Sequence, residues 1–582
     1  MSAVGLVAAT AAGRRQVERV AAAWPPARVV DAGSVAASLR TAWATCDAVV
    51  AFVAAGAVVR VLGPLLADKH TEPAVVVVDD AGRHAIALLG GHAAGANTLA
   101  ADVAALLGGS PVVTTATDVA GVTPLDDLGW PVEGAVARVT RGMLDGDPVR
   151  WEAGAVWPLP AFPPNIRPDA VGPLRIVVTD VRLDVDGHTV VLRPPSLVVG
   201  VGASRGAPVG EVLALIDRAL TDAGLSPASV RCLATAEVKA GEPGVVEAAR
   251  VLGVPLVTHA AAALAAVPVP HPSEVVRRAV GTPSVAEAAA VLGDGGPTGE
   301  LVVDKTASAT ATVAVARHAA RGRLAIVGLG PGARDLMTPR AAAELRRASV
   351  VVGLDQYVEQ VRDLLRPGTR VLVTGLGQEE ERARTAVAEA RAGQAVALIG
   401  SGDAGVYAMA SPALEEADGT IDVVGVPGVT AGLAASAVLG APLGHDHAYL
   451  SLSDLHTPWP VIERRLRAAA EGDLVVLLYN PRSRARHWQL GAALALLAEH
   501  RPPATPVGVV RNASRPDESV VLATLAEVDP GGVDMYSLVV VGSSQTRIVA
   551  GRMVTPRGYH WRAPGTAAAG SPEGPQEVQE VR

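Results

Sequence analysis

Short apolar runs alternate with longer segments of helical period along almost the whole 582-residue chain. Near the start, VGLVAAT is an apolar run and GRRQVERVAAAW has helical spacing. DAVVAFVA, AVVVVDD and HAIALLG read as strands, and NTLAADVAALLG as an amphipathic helix stopped by Gly108. PVVTTAT reads as a further strand. The texture changes from about 121 to 195. There Pro and Trp accumulate around Trp130, Trp151 and Trp157, and the short β-type runs RIVVTDVRL and HTVVLRP follow. The rhythm resumes with SLVVGVGASRGAP, the helix GEVLALIDRALTDAGL, the strand VRCLATAEV and the helix PGVVEAARVLG, then restarts at RLAIVGLGPG. Strands alternating with helices predict an α/β, multidomain chain with largely parallel sheets.

The pattern divides the chain into an α/β domain at 1–120, a small intervening module at 121–195 and a second α/β domain at 196–304. A linker is expected over 305–322, where DKTASATATVAVARHAARG is Ala/Thr-rich. Two lobes follow at 323–440 and 441–560, and a Pro/Gly/Glu-rich tail at 561–582 is expected to be disordered.

Composition narrows the function classes. The chain is 49% hydrophobic, 19% charged and carries a net charge of −8. It has no global basic footprint for nucleic acid. With aromatics at 3% and two Phe it has no periodic platform for stacking bases. Its two cysteines, Cys46 and Cys232, exclude a disulfide scaffold and a cysteine-rich metal site. Arg60 and glycines interrupt the longest apolar stretch, 48–67, which reads as strand, turn and helix and not as a membrane span. MSAVGLVAATAAGRR lacks the pattern of a signal peptide, so a cytoplasmic location is expected. Of 50 basic residues only Lys69, Lys239 and Lys305 are lysines. A lysine kept in such a chain suits a site that needs a compact head with a movable pKa.

Five loops in the C-terminal half fall at predicted strand ends, where α/β sheets place ligands. RLAIVGLGPG puts Gly328, Gly330, Pro331 and Gly332 after a strand, and AVALIGSGDAGVYAMA does the same with Ser401, Gly402 and Asp403. IDVVGVPGVTAGLAASAVLG opens a helix at Thr430 and Ala431. DLVVLLYNPRSRARHW and PVGVVRNASRP end strands at Tyr479, Asn480 and Asn512. Any one of these is equally an ordinary tight turn, and Pro331 breaks the dinucleotide-binding spacing. Arg482, Arg484, Arg486, Arg511 and Arg515 cluster after two of the strand ends and suit carboxylates.

Together with LGAPLGHDHAYLSLSDLHTPW and MVTPRGY, these segments resemble the tetrapyrrole methylase family. Within it they resemble the precorrin-3B C(17)-methyltransferases of cobalamin biosynthesis. SLSD…TPW and YNPRSR speak against methylases acting on uroporphyrinogen. The resemblance implies two lobes with a cleft between them, S-adenosyl-L-methionine as methyl donor and a homodimer through this half. It assigns the donor pocket to Gly330, Pro331, Ser401, Gly402, Asp403, Thr430, Ala431, Tyr479 and Asn512. The family reaction also contracts the macrocycle, which needs proton transfers. His445, Asp446, His447 and Asp454 are candidates by chemical type, with His445 and Asp454 placed first. Ala404 departs from the family, which carries Pro there.

In the N-terminal half, 56–118 gathers Asp68, Lys69, Glu72, Asp79, His92 and Asn97 at strand ends and turns. Later segments add Lys239, Glu242, Ser273 and Glu274. PSEVV and TPSVAEA also read as helix starts with Ser and Thr caps. Over about 40–305 these segments resemble cobalt-precorrin-5A hydrolase, with departures at Ala203, Ser204 and Ala236. That family opens a lactone on a corrin intermediate and releases acetaldehyde. Lactone opening needs an activated water and a stabilised oxyanion. His92 suits the base, and Lys69 suits charge stabilisation or a substrate carboxylate. No protein-held metal is expected, because His70, His84 and His92 have no recognised ligand spacing. The combined reading is a bifunctional corrin-pathway enzyme. The alternatives are a methyltransferase with a non-catalytic corrin-binding module in front, and a methylase for another tetrapyrrole.

Overall fold

The computed structural model describes residues 3–68, 71–92, 94–483 and 485–558. Apolar runs of Val and Ala become strands buried on both faces, as parallel sheets covered by helices require. Ala48–Phe52, Ala74–Val78, Val350–Leu354 and Ala395–Gly400 have every residue buried. Helices begin and end where local chemistry dictates. Thr10 caps Ala11–Ala23 by accepting from the Gly13 N–H at 3.0 Å, and Ser34 caps Val35–Thr45. Gly108 and Gly253 terminate Ala96–Leu107 and Pro243–Leu252 in the left-handed conformation.

The described residues form two compact units, 3–326 with 343–398 and 412–424, and 327–342 with 399–411 and 425–558. In the first unit a six-stranded sheet runs Ala27–Val29, Val4–Ala8, Ala48–Phe52, Ala74–Val78, His84–Leu89, Ser110–Val112. Only the pairing of Ala74–Val78 with His84–Leu89 is antiparallel. A small five-stranded sheet over 132–192, with helix Val136–Asp145, follows it. The next sheet is ordered Leu256–His259, Val230–Ala236, Leu197–Ala203, Ala311–Arg317, Glu300–Ala307.

That last sheet corrects the linker expected over 305–322. Most of the stretch is the antiparallel hairpin Glu300–Ala307 and Ala311–Arg317, and its second strand lies in the sheet interior beside Leu197–Ala203. Alternating Thr, Ala and Val is a strand pattern with small side chains, and it looks like low complexity only in composition. The small residues are needed there, because helix Ala286–Leu292 lies directly on the sheet. A Cβ added to Gly200 would sit 1.8 Å from the Ala286 carbonyl oxygen.

A further sheet is ordered Arg370–Thr374, Val350–Leu354, Ala395–Gly400, Arg323–Gly328, Asp422–Val426, with Val350–Leu354 parallel to both of its neighbours. The second unit contains the loops leaving the last three of these strands and a sheet ordered His447–Ser451, Val475–Tyr479, Ser537–Val541, Pro506–Arg511, Ser519–Thr524. Among the described residues no helix is long and apolar enough to cross a membrane. The tail expected at 561–582 lies outside the described residues.

Gly200→Ala should destabilise the fold by about 1–3 kcal/mol, because the helix cannot retreat from the strand without losing its own packing. Urea unfolding measures this, and an unchanged midpoint would refute the close approach.

Candidate active sites

The C-terminal candidate site is built from backbone. Gly330 and Gly402 form an isolated antiparallel bridge, with Gly330 N–H donating to the Gly402 oxygen at 3.0 Å and Gly402 N–H returning at 2.7 Å. A Cβ on Gly328 would lie 2.7 Å from the Gly402 oxygen and 2.8 Å from Gly428 N. One on Gly428 would lie 2.1 Å from the Gly402 oxygen. Three loops therefore meet with no room for any side chain at the crossing. Gly330 and Gly402 also take positive φ, +80° and +68°, which glycine adopts at no steric cost. Asp403 fastens the crossing, its carboxylate accepting from Gly405 N–H at 2.8 Å and from Gly428 N–H at 3.0 Å. Arg515 holds the Gly-Pro-Gly turn through Nε to the Pro331 oxygen at 3.0 Å.

Tyr479 ends its strand with its hydroxyl 2.7 Å from the Thr430 hydroxyl, and it accepts from Gly432 N–H at 2.7 Å. It thus satisfies a donor at the start of helix Ala431–Leu439, where no side chain of the helix itself caps. Tyr407 and Tyr449 lie 5.4 and 5.5 Å from the Tyr479 ring, and Tyr407 donates to the Tyr449 carbonyl. Burial raises the pKa of all three phenols. Strands Val475–Tyr479 and Pro506–Arg511 are each antiparallel to Ser537–Val541, so their carboxyl ends point the same way. Asn512 therefore stands at the same end of the sheet as Tyr479. Tyr407, Asn480, Asn512 and Ser514 are four of the six described non-glycine residues with positive φ. Such backbone strain gathers where loops are shaped for a ligand.

The structure places the proton-transfer candidates and the arginines of this half as follows. Asp454 follows strand His447–Ser451, accepting from Gln489 at 2.9 Å, whereas His445 precedes it and its Nδ1 accepts from Asp446 N–H. A five-residue strand separates its ends by roughly 13 Å, so the pair does not form one constellation. Ser451 pairs in register with Tyr479, which puts Asp454 at the Tyr479 end and His445 at the other. The arginines are fasteners. Arg482 donates to the Pro530 and Gly531 oxygens, Arg486 to the Asn480 oxygen and Ser453, and Arg511 to Asp534 and Asp517. Arg484 lies outside the described residues. Ser401, between strand Ala395–Gly400 and Gly402, is partly exposed.

The N-terminal candidate site follows strand His84–Leu89. Gly90 and Gly95, with φ +73° and +81°, turn the chain into helix Ala96–Leu107. His92 stands in that turn, its Nε2 2.8 Å from the Thr117 hydroxyl and 3.3 Å from Asp118 Oδ2. Asn97 donates to the same Asp118 oxygen at 3.0 Å and to Thr115, which itself donates to Asp118. A carboxylate facing Nε2 favours the tautomer protonated there and leaves Nδ1 as the basic nitrogen. Burial raises the pKa of Asp127, and the nearby charge of His92 works against that rise.

Asp118, Thr115, Thr117 and Asp127 were not singled out from the sequence. The available signal was the acidic residue in the first turn after a strand, in TTATD. Lys69 and His70 lie outside the described residues. Asp79 and His84 fasten their own hairpin, while Glu72 accepts from Ala67 N–H. Lys239 pairs with Glu242 at 3.6 Å, and Glu242 accepts from Gly206 N–H. Ser273 caps helix Glu274–Val280, whose Glu274 pairs with Arg277. Among the described residues His271, Glu287 and Asp304 offer ligand atoms within 4.8 Å of one another. The buried Glu287 carboxylate is already engaged by the His271 ring, Ser284 and Lys305 N–H.

Three family models match. Residues 323–529 match the Tetrapyrrole (Corrin/Porphyrin) Methylases, 197–316 the Cobalamin synthesis G C-terminus and 37–118 the Cobalamin synthesis G N-terminal. The chain is 47% identical over 239 residues to a probable cobalt-factor III C(17)-methyltransferase of Salmonella typhimurium, covering 40% of this chain and 99% of that protein. It is 43% identical over 234 residues to a precorrin-3B C(17)-methyltransferase of Sinorhizobium sp, covering 39% and 91%. The crystal structure of the methyltransferase CobJ aligns over 40% of this chain and 100% of its own, at 38% identity and TM-score 0.39.

Phenols with raised pKa ionise more readily in the unfolded chain. Their contribution to stability is therefore complete below the ordinary value of 10.0 and lost as pH rises beyond it. Unfolding midpoints should fall above about pH 10 in the native chain and fall less in Tyr479→Phe. That variant should also cost about 1–3 kcal/mol at neutral pH, because Gly432 N–H loses its acceptor.

Proposed function

The chain belongs to the tetrapyrrole (corrin/porphyrin) methylases through its C-terminal half, and on that premise we propose a bifunctional enzyme of cobalamin biosynthesis. One activity is methylation of precorrin-3B, or its cobalt form, at C17 with ring contraction. The other is lactone-opening hydrolysis of cobalt-precorrin-5A. The observation that carries this reading is that both cobalamin synthesis G matches precede a methylase match within one chain. The methyltransferase-only alternative, with the N-terminal half a corrin-binding module, is less supported, because both cobalamin synthesis G segments are matched and Asp118 orients His92 as a base requires.

The three-loop crossing supports S-adenosylmethionine as donor. Gly328, Gly402 and Gly428 pin three strand-end loops together, and the buried Thr430 and the tyrosine trio supply a polar and aromatic border beside them. This set suits the nucleoside and amino-acid groups of such a donor. S-adenosylmethionine supplies a methyl group already activated on a sulfonium. The residues of this chain orient and exclude water. Pro331, Gly402, Thr430, Ala431, Tyr479 and Asn512 would hold the donor, while Asp403 and Arg515 keep the loops in register. Asp454, at the Tyr479 end, is the candidate for moving a proton during ring contraction.

For the hydrolase, His92 takes a proton from water through Nδ1 as the water oxygen bonds to the lactone carbonyl carbon. The carbon–oxygen bond to the alkoxide of the two-carbon fragment then breaks. That alkoxide becomes the carbonyl of acetaldehyde as its carbon–carbon bond to the macrocycle breaks. The electron pair goes to the macrocycle, and the proton held by His92 passes to the macrocycle. Asp118 holds the imidazole and balances the charge it acquires. Lys69 is the candidate for binding a substrate carboxylate. With a corrin-pathway role the chain would be cytoplasmic, and dimeric through the methylase half.

Mass spectrometry of products from the full chain, given S-adenosylmethionine and each of precorrin-3B, its cobalt form and cobalt-precorrin-5A, tests the reading. A methylated, contracted ring from either of the first two and acetaldehyde from the third are expected. Neither product from intact substrates would sink it. His92→Ala should abolish acetaldehyde release, by about a hundredfold or more, and leave methylation intact. Gly428→Ala should do the reverse.

A further inference from the structure

Two turns that lead into strands of the methylase half press against the N-terminal half, within the first compact unit. Gly368, φ +88°, precedes Arg370–Thr374, and a Cβ there would lie 1.9 Å from the Phe162 carbonyl oxygen. Gly393, φ +90°, precedes Ala395–Gly400, and a Cβ there would lie 2.5 Å from the Val156 oxygen. The amino ends of these strands are thus in backbone contact with the small module.

Arg366 stands in the first of these turns. Its Nη1 donates to the Gly121 oxygen at 3.0 Å and its Nε to the Arg346 oxygen at 3.0 Å. The guanidinium is therefore held from both halves at once. Gly121 closes the short helix Ala116–Val119 that carries Asp118, its N–H donating to the Asp118 carbonyl at 3.1 Å. Burial depresses the Arg366 pKa, Arg346 adds to this, and Asp118 and Asp127 oppose it. Around Asp127, burial and the charges of Asp126 and Asp118 disfavour ionisation, while His92 and Arg366 favour it. His92, Asp118, Asp126, Asp127, Arg346 and Arg366 thus share one set of charges.

Arg366 lies in the methylase match and His92 in the cobalamin synthesis G N-terminal match. We infer that Arg366 is a positioning residue for the hydrolase site, supplied by the methylase half. Bonded to Gly121, it holds the 118–127 segment and its carboxylates against His92, so lactone opening requires the fused half. A separate hydrolase would need another cation at this place. The inference rests on the hydrolase reading above.

The test compares Arg366→Met and Arg366→Lys with the unaltered full chain in acetaldehyde release from cobalt-precorrin-5A, C17 methylation and unfolding midpoint. Arg366→Met should slow acetaldehyde release by about tenfold to a hundredfold, with methylation within about twofold. The acid limb of its pH–rate profile should move to higher pH, because Asp127 loses a cation that favours its ionisation. Arg366→Lys keeps the charge and should restore that limb while recovering only part of the rate. Unchanged acetaldehyde release in both variants would overturn the inference and leave the hydrolase reading standing. No acetaldehyde from the unaltered chain would overturn both. If Arg366→Met does not fold, Arg366→Lys decides. Equal loss of both activities in it would make Arg366 merely structural, and a selective loss of acetaldehyde release would support the inference.

Discussion

The C-terminal half depends on a contact between bare backbones. Gly328, Gly402 and Gly428 bring three strand-end loops so close that a methyl group on Gly428 would stand 2.1 Å from a carbonyl oxygen. Everything else at that site follows from holding this crossing in place. Asp403 bridges two of the loops, Arg515 grips the turn at Pro331, and Tyr479 satisfies the start of the helix after Thr430. Side chains here serve mainly to fix main chain.

The N-terminal site follows a different logic, in which charges are packed together. His92 is partly buried at the junction of a glycine turn and a short helix, beside the exposed Asp118, and the surroundings of Asp127 disfavour its ionised form. Such a group of acids needs donors and cations around it. Asn97 and Thr115 serve Asp118 directly, and Arg366 reaches the same segment from a distant part of the chain. A fusion of two activities thereby acquires a structural reason beyond joint expression.

Arginine has a consistent role across the molecule. Arg193, Arg366, Arg482 and Arg501 all donate to main-chain carbonyls. A planar fork with five donors can tie two loops together where lysine offers only a point charge. In a chain with three lysines among 50 basic residues, an arginine near a strand end is therefore more often a fastener than a ligand group.

The sequence alone determined the α/β architecture, because runs of Val and Ala bounded by glycine have few other ways to bury themselves. It also determined the family of each half, because GLGPG, GSGD, VPGVTA and GGH sit at strand ends in a recognisable order. Local spacing could not show that 305–322 continues a sheet, since the pairing partner of Ala311–Arg317 lies more than a hundred residues earlier at Leu197–Ala203. Nor could it separate His445 from Asp454, which are close in number but stand at opposite ends of one strand. The partners of His92 and the reach of Arg366 were decided by tertiary structure. A hydrogen bond depends on which atoms folding brings within about 3 Å, and sequence distance carries no information about that once the chain has crossed between sheets.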